Sequence, residues 1–214
     1  MIIKLSDFLK NQEISKTFYL LYGSNVGQIE EVINDTLKPK ISTNIFNYDE
    51  SEILRKTDEF KENILNRSFF DDKKLIIINR SSDKILEIIK SLITKKITET
   101  TIIIKANILE KRSQLRVFFE KNEETICVAF YEDNYQSLTV IAQNFFIKNK
   151  IKVSHQIVNY LVEKSKKNRV NLKNELNKIK IFYQSNLSIE LKDILKLTTS
   201  AENYEISELT DKCL

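Results

Sequence analysis

Four stretches of this chain are apolar almost without a break: Phe18-Tyr19-Leu20-Leu21-Tyr22, Leu75-Ile76-Ile77-Ile78, Thr101-Ile102-Ile103-Ile104 and Thr125-Ile126-Cys127-Val128-Ala129. A strand with one face in water alternates apolar and polar residues, whereas a continuous run needs cover on both faces. A weaker fifth run is Ile45-Phe46-Asn47-Tyr48. Segments of helical spacing lie between them. Ile29, Val32, Ile33 and Leu37 share one face, and Pro39 is expected to end that helix. Asp49 or Ser51 can cap a helix carrying Ile53, Leu54, Phe60, Ile64 and Leu65. Ile85, Leu86, Ile88, Ile89, Leu92 and Ile93 give the next helical face, and Leu109, Leu115, Phe118 and Phe119 another. Strict alternation of buried strands and helices predicts an α/β fold, with a five-stranded parallel sheet covered by helices on both faces.

After Glu132-Asp133-Asn134 the strand signal stops. Leu138, Ile141, Ala142, Phe145 and Phe146 lie on one helical face, and Ser154 caps a helix with Ile157, Val158, Leu161 and Val162. Leu172, Leu176, Ile179 and Tyr183 mark a third helix, and Ser188 caps a short fourth with Ile194 and Leu195. The expected organisation is an α/β domain over 1–135 and a small all-helical domain over 136–203, with a boundary near Asp133–Ser137. Residues 204–214 begin another amphipathic segment and read as a truncation or the foot of a further helical domain.

Only two glycines and one proline occur in 214 residues, which disfavours turn-rich all-β folds and flexible linkers. The net charge of +4 comes from 34 basic and 30 acidic residues, interleaved, and is too small to imply nucleic-acid binding by itself. Cys127 and Cys213 are the only cysteines and form no CxxC pair, which fits a reducing cytoplasm and excludes a disulfide framework. The N-terminus has no signal-peptide pattern, and no apolar run approaches the ~20 residues of a membrane span.

A strand, a glycine turn and a helix are where phosphates bind in α/β folds. Gly23-Ser24-Asn25-Val26-Gly27-Gln28-Ile29-Glu30 occupies that place. Against the pattern G-x-x-x-x-G-K-S/T counted from Gly23, Gln28 stands for the glycine, Ile29 for the lysine and Glu30 for the hydroxyl. The helix is expected to open near Glu30 and Glu31, which suit a helix N-terminus but repel a triphosphate. No acidic pair for Mg²⁺ follows Leu75–Ile78, which leads into Asn79-Arg80. The layout of an NTPase is present without its catalytic groups, so neither a cofactor nor a metal is expected. His155, the only histidine, lacks the partners of a metal site or a triad and reads as a surface or capping residue. Asp71-Asp72 beside Lys73-Lys74 reads as a solvated turn. Lys164, Lys166, Lys167, Arg169 and Lys173 form a basic cluster between two helices, either a solvated face or a contact for a phosphate backbone. Lys111-Arg112 with Arg116 allows the same two readings.

Arg67-Ser68-Phe69-Phe70-Asp71-Asp72-Lys73-Lys74 places two adjacent phenylalanines in a charged setting between a helix and a strand. Neither regular element puts neighbours on one face, so both rings can point the same way only from a turn or a helix end. The pair either caps the core or forms an exposed anchor for a partner.

In order and spacing, several of these stretches resemble one family, the delta subunit of the bacterial DNA polymerase III clamp loader. They are Phe18–Gly23 followed by Ile29-Glu30-Glu31; Ser68 to Ile78; Leu109-Glu110-Lys111-Arg112-Ser113-Gln114-Leu115; and Asn168-Arg169-Val170-Asn171-Leu172-Lys173-Asn174-Glu175-Leu176-Asn177-Lys178-Ile179. The resemblance implies an AAA+-type five-stranded domain with a degenerate phosphate loop, a helical lid and a collar domain of which this chain holds the first residues at most. It implies no ATP hydrolysis, although the assembled complex counts as a DNA-directed DNA polymerase, a nucleotidyltransferase. In the family, a stretch of the form S-L/F-F-x-x-K/R carries two apolar residues that enter a pocket on the sliding clamp, and it matches Ser68, Phe69 and Phe70. The partners implied are the sliding clamp (beta subunit), the ATPase subunits gamma/tau, delta prime and primed DNA. The alternatives are an NTPase with an unusual phosphate loop and a stand-alone DNA-binding module.

Overall fold

The protein is described from a computed structural model over residues 3–10, 16–41, 44–65, 74–95, 97, 100–185 and 191–199. The chain divides into two compact units, one up to Tyr131 and one from Glu132 onward.

The five apolar runs become strands β1 (Phe18–Gly23), β2 (Asn44–Asp49), β3 (Lys74–Asn79), β4 (Thr100–Ala106) and β5 (Thr125–Phe130). They form a single parallel sheet in the order β2-β3-β4-β1-β5. β1 lies between β4 and β5: Phe18 is opposite Ile102 and Thr125, and Tyr22 opposite Ala106 and Ala129. Its first five residues are all buried. β2 sits on the edge and is half open to solvent, which is why its sequence signal is the weakest of the five.

Alternate residues of each strand feed two separate cores. Phe18, Leu20, Tyr22, Ile76, Ile78, Ile102, Ile104 and Cys127 meet helices α4 (Glu50–Arg55), α5 (Thr57–Leu65), α6 (Leu86–Thr94) and α7 (Gln114–Lys121). Tyr19, Leu21, Leu75, Ile77, Ile103, Ile126 and Val128 meet α1 (Leu5–Lys10), α2 (Val26–Glu31) and the helical residues Val32, Ile33, Leu37 and Ile41 beyond it. Burial of each such aliphatic side chain is worth roughly 1.5–3 kcal/mol.

Three local expectations are corrected. The helix after β1 does not end at Pro39. It passes from α2 through a π-helical segment, Val32–Leu37, into α3 (Lys38–Ile41). The Lys38 amide bonds to the Ile33 carbonyl, an i→i−5 bond that shifts the hydrogen-bond register just ahead of Pro39. The single helix expected from Asp49 or Ser51 to Leu65 is two, broken at Lys56. Asp49 stands at the N-cap of α4 without capping it, because its carboxylate pairs with Arg80. Leu109 precedes α7, which starts after Ser113; the Ser113 hydroxyl accepts from the Arg116 amide.

The second unit is helical: α8 (Tyr135–Lys148), α9 (His155–Lys164), α10 (Arg169–Ser185) and α11 (Leu191–Thr199). Asn134 and Ser137 form a reciprocal capping box on α8, and Ser154 caps α9. Leu138, Ala142, Phe146, Leu161, Leu172, Leu176 and Ile179 form its own core. Ser188 and residues 204–214 lie outside the described residues. Among the described residues, no helix is long and apolar enough to cross a membrane.

Candidate functional site

At the carboxyl end of β1 the chain closes on itself where a phosphate loop would open. Gly23 has a φ of 141°, and a Cβ there would overlap the carbonyl of Phe130. The Asn25 side-chain oxygen accepts from the Gln28 amide at 3.1 Å, and its Nδ2 donates to the Tyr131 carbonyl at 3.1 Å. The amide that a phosphate would seek at this helix start is therefore satisfied from within the chain. The helix opens at Val26, after the Asn25 cap, and not near Glu30 and Glu31, which lie at the far end of α2, where Glu30 pairs with Lys105 of β4. The place of an NTP triphosphate is bordered by a carboxylate and an amide cap, and no lysine of a phosphate loop stands there.

The turns after β2 and β3 are latched to each other. Arg80, in a left-handed conformation at φ 55°, pairs with Asp49. The Asn79 side-chain amide donates to the Tyr48 carbonyl at 3.3 Å. Glu50 is buried and accepts from the Ser82 amide at 2.7 Å and from the Ser82 hydroxyl. Asp83 reaches α7, accepting from the Ser113 hydroxyl at 2.5 Å and the Leu115 amide at 2.9 Å. Partial burial pushes the Asp83 carboxyl up, but the hydrogen bonds from Ser113 and from the Leu115 and Gln114 amides outweigh it and hold the carboxyl below its ordinary range. Arg116 stacks over Tyr22 at 5.2 Å and binds Glu120 at 2.7 Å. Burial, then the Cys127 thiol, pushes the Tyr22 hydroxyl up to about 12. These carboxylates hold turns together. Among the described residues, no cluster of His, Cys, Asp and Glu could bind a metal ion.

Ser68, Phe69 and Phe70, with Asp71, Asp72 and Lys73, lie outside the described residues. Their flanks are described: α5 ends at Leu65, and β3 starts at Lys74, opposite Asn44 and Thr100 at the amino end of the sheet. That end is opposite to Gly23 and the phosphate-loop position, because all five strands run parallel.

The basic cluster is divided. Lys166 and Lys167 are exposed in the turn between α9 and α10, with φ of 50° and 61°. The Lys167 ammonium lies 5.3 Å from the centre of the Tyr135 ring. Lys164, the last residue of α9, and Lys173, in the second turn of α10, are half-buried. Arg169 is withdrawn from the cluster, its guanidinium gripping Asp133 through two hydrogen bonds. Sequence reasoning missed this pair, since Asp133 reads as part of a polar linker and lies 36 residues from Arg169. It likewise missed Glu50 and Asp83, whose partners are about 30 residues away. His155 opens α9 on an exposed face. Lys111 and Arg112 are exposed, whereas Arg116 is half-buried against Tyr22.

No protein-family model matches the chain and no curated protein matches its sequence. Solved structures do match in shape. The Bacillus subtilis DNA clamp loader delta protein, YqeN, is similar at a TM-score of 0.57 and 18% identity, over 90% of this chain and 62% of that one. The Thermotoga maritima RuvB Holliday junction branch migration motor is similar at 0.53 and 12% identity, over 86% of this chain and 61% of that one. A RuvB variant from the same organism reaches 0.59 at 13% identity, over 91% and 67%. The fold is therefore AAA+-like: a parallel α/β unit of five strands followed by a helical unit. The chain spans about three fifths of the length of the clamp-loader protein it matches.

Proposed function

We propose that the chain is a non-catalytic subunit of a DNA clamp loader, of the delta type, acting in DNA replication. The observation that carries this reading is an AAA+-like fold whose phosphate-loop position is closed by Asn25 and flanked by the Glu30–Lys105 pair. A shape shared with a clamp-loader delta protein supports it, as does the sequence resemblance around Ser68, Phe69 and Phe70. In this reading Phe69 and Phe70 enter an apolar pocket of the sliding clamp. The rigid α5–β3 framework behind them transmits the strain that holds one clamp interface open. ATP acts through partner ATPase subunits, and primed DNA enters the assembled complex.

Calorimetric titration separates this from the NTPase reading. The chain should bind a bacterial sliding clamp without nucleotide and take up no Mg-ATP at micromolar concentration. Micromolar Mg-ATP binding with turnover, and no clamp binding, would replace the reading with an NTPase. The DNA-binding alternative rests on the exposed Lys166 and Lys167, and requires tight duplex binding with a steep salt slope in the absence of any clamp.

A further inference from the structure

Between α6 and α7 lies a groove of about 520 Å³ that the proposed clamp contact does not use. Leu86, Val117 and Phe118 form its floor, buried or half-buried, while Lys90, Arg112 and Lys121 stand on its rim. Among the described residues lining it there is no carboxylate. Lys90 pairs with Glu87 at 2.8 Å, and Arg112 with Glu110 at 2.6 Å. Both pairs are largely in water, with the Arg112 side chain 87% and Glu110 66% exposed. Such surface pairs are weak and exchange readily, so these donors are available to a carboxylate from outside.

We propose that this groove binds an extended acidic segment of a partner protein. One or two apolar side chains of that segment would sit on Val117 and Phe118, with flanking carboxylates on Lys90, Arg112 and Lys121. The apolar floor calls for an apolar anchor, and a rim of three cations, two of them held only in exposed and weak pairs, calls for negative charge beside it. A nucleic-acid strand fits less well. Such strands use a basic track with open aromatic faces on which bases stack. Here the one aromatic ring has the Lys90 ammonium 5.8 Å from its centre and the Phe119 ring against it at 75°.

The test is fluorescence anisotropy on the full chain, with a labelled octapeptide of alternating aspartate with phenylalanine or leucine. Controls are the same peptide with asparagine for aspartate, and a labelled oligothymidine. The acidic peptide should bind, the neutral one should not, and Arg112→Glu with Lys121→Glu should weaken binding by about tenfold or more without lowering the melting temperature. Val117→Gln, which keeps the charges, should weaken it as well. The proposal is overturned if the acidic peptide does not bind, if the charge-reversed variant binds it equally, or if oligothymidine binds more tightly.

Discussion

Arg169 and Asp133 form a two-pronged ion pair inside the helical unit: Nε donates to one carboxylate oxygen at 2.8 Å and Nη2 to the other at 2.7 Å. The two side chains are 10% and 5% exposed, and the Ser137 hydroxyl donates to the same carboxylate at 2.9 Å. The pair ties the start of α10 to the segment that leads into α8. Its loss leaves a buried charge without its counterion, so Asp133→Ala or Arg169→Ala should each cost about 3–5 kcal/mol in chemical denaturation. Lys166→Ala, a few residues away and exposed, should cost almost nothing. Equal effects of the three substitutions would contradict the assignment of Arg169 to structure.

Asp83 joins the turn after β3 to the N-terminus of α7. Its carboxyl is held below the ordinary value, so the charged form is the one the fold favours. The stability it contributes is therefore fully present above about pH 4, the unfolded value, and disappears as pH falls through the lower folded value. Asp83→Ala should lower the melting temperature by a few degrees at pH 7, in line with a lost cap of about 1 kcal/mol. The gap to the parent protein should close as pH falls through the lowered folded value, below which neither carries a charge at this position. A gap that widens in acid would contradict the account.

Cys127 is buried under α7, and burial, then Glu120, pushes its thiol up to about 12. Reactivity belongs to the thiolate. In a Cys213→Ser background the native protein at pH 8 should resist an aromatic disulfide reagent and react at once after denaturation. Stoichiometric labelling of the native protein would show that the core around β5 opens.

Legibility in sequence followed burial. β1, β3, β4 and β5 are covered on both faces and could be read as unbroken apolar runs, whereas β2 is an edge strand and left a faint trace. The strand order could not be read from the runs, because apolar pattern marks a buried strand and says nothing of its neighbour. Pro39 misled because a π-helical turn ahead of it shifts the hydrogen-bond register, and no residue pattern announces such a turn. The phosphate-loop position was legible from Gln28, Ile29 and Glu30, yet the closing contact of Asn25 with Tyr131 joins residues 106 apart. Asp133 with Arg169, Glu50 with Ser82 and Asp83 with Ser113 are long-range in the same way. Phe69 and Phe70 remain an assignment from sequence.

The clamp contact itself is tested by surface plasmon resonance of the chain over an immobilised bacterial sliding clamp, parent against Phe69→Ala/Phe70→Ala, with a melting curve of each. Two buried rings contribute roughly 1.5–3 kcal/mol apiece, so the double variant should lose about a hundredfold or more in affinity. Its melting temperature should stay that of the parent. A double variant that binds the clamp as tightly as the parent would contradict the account, and one that melts early while its folded fraction still binds would place the two phenylalanines in the core.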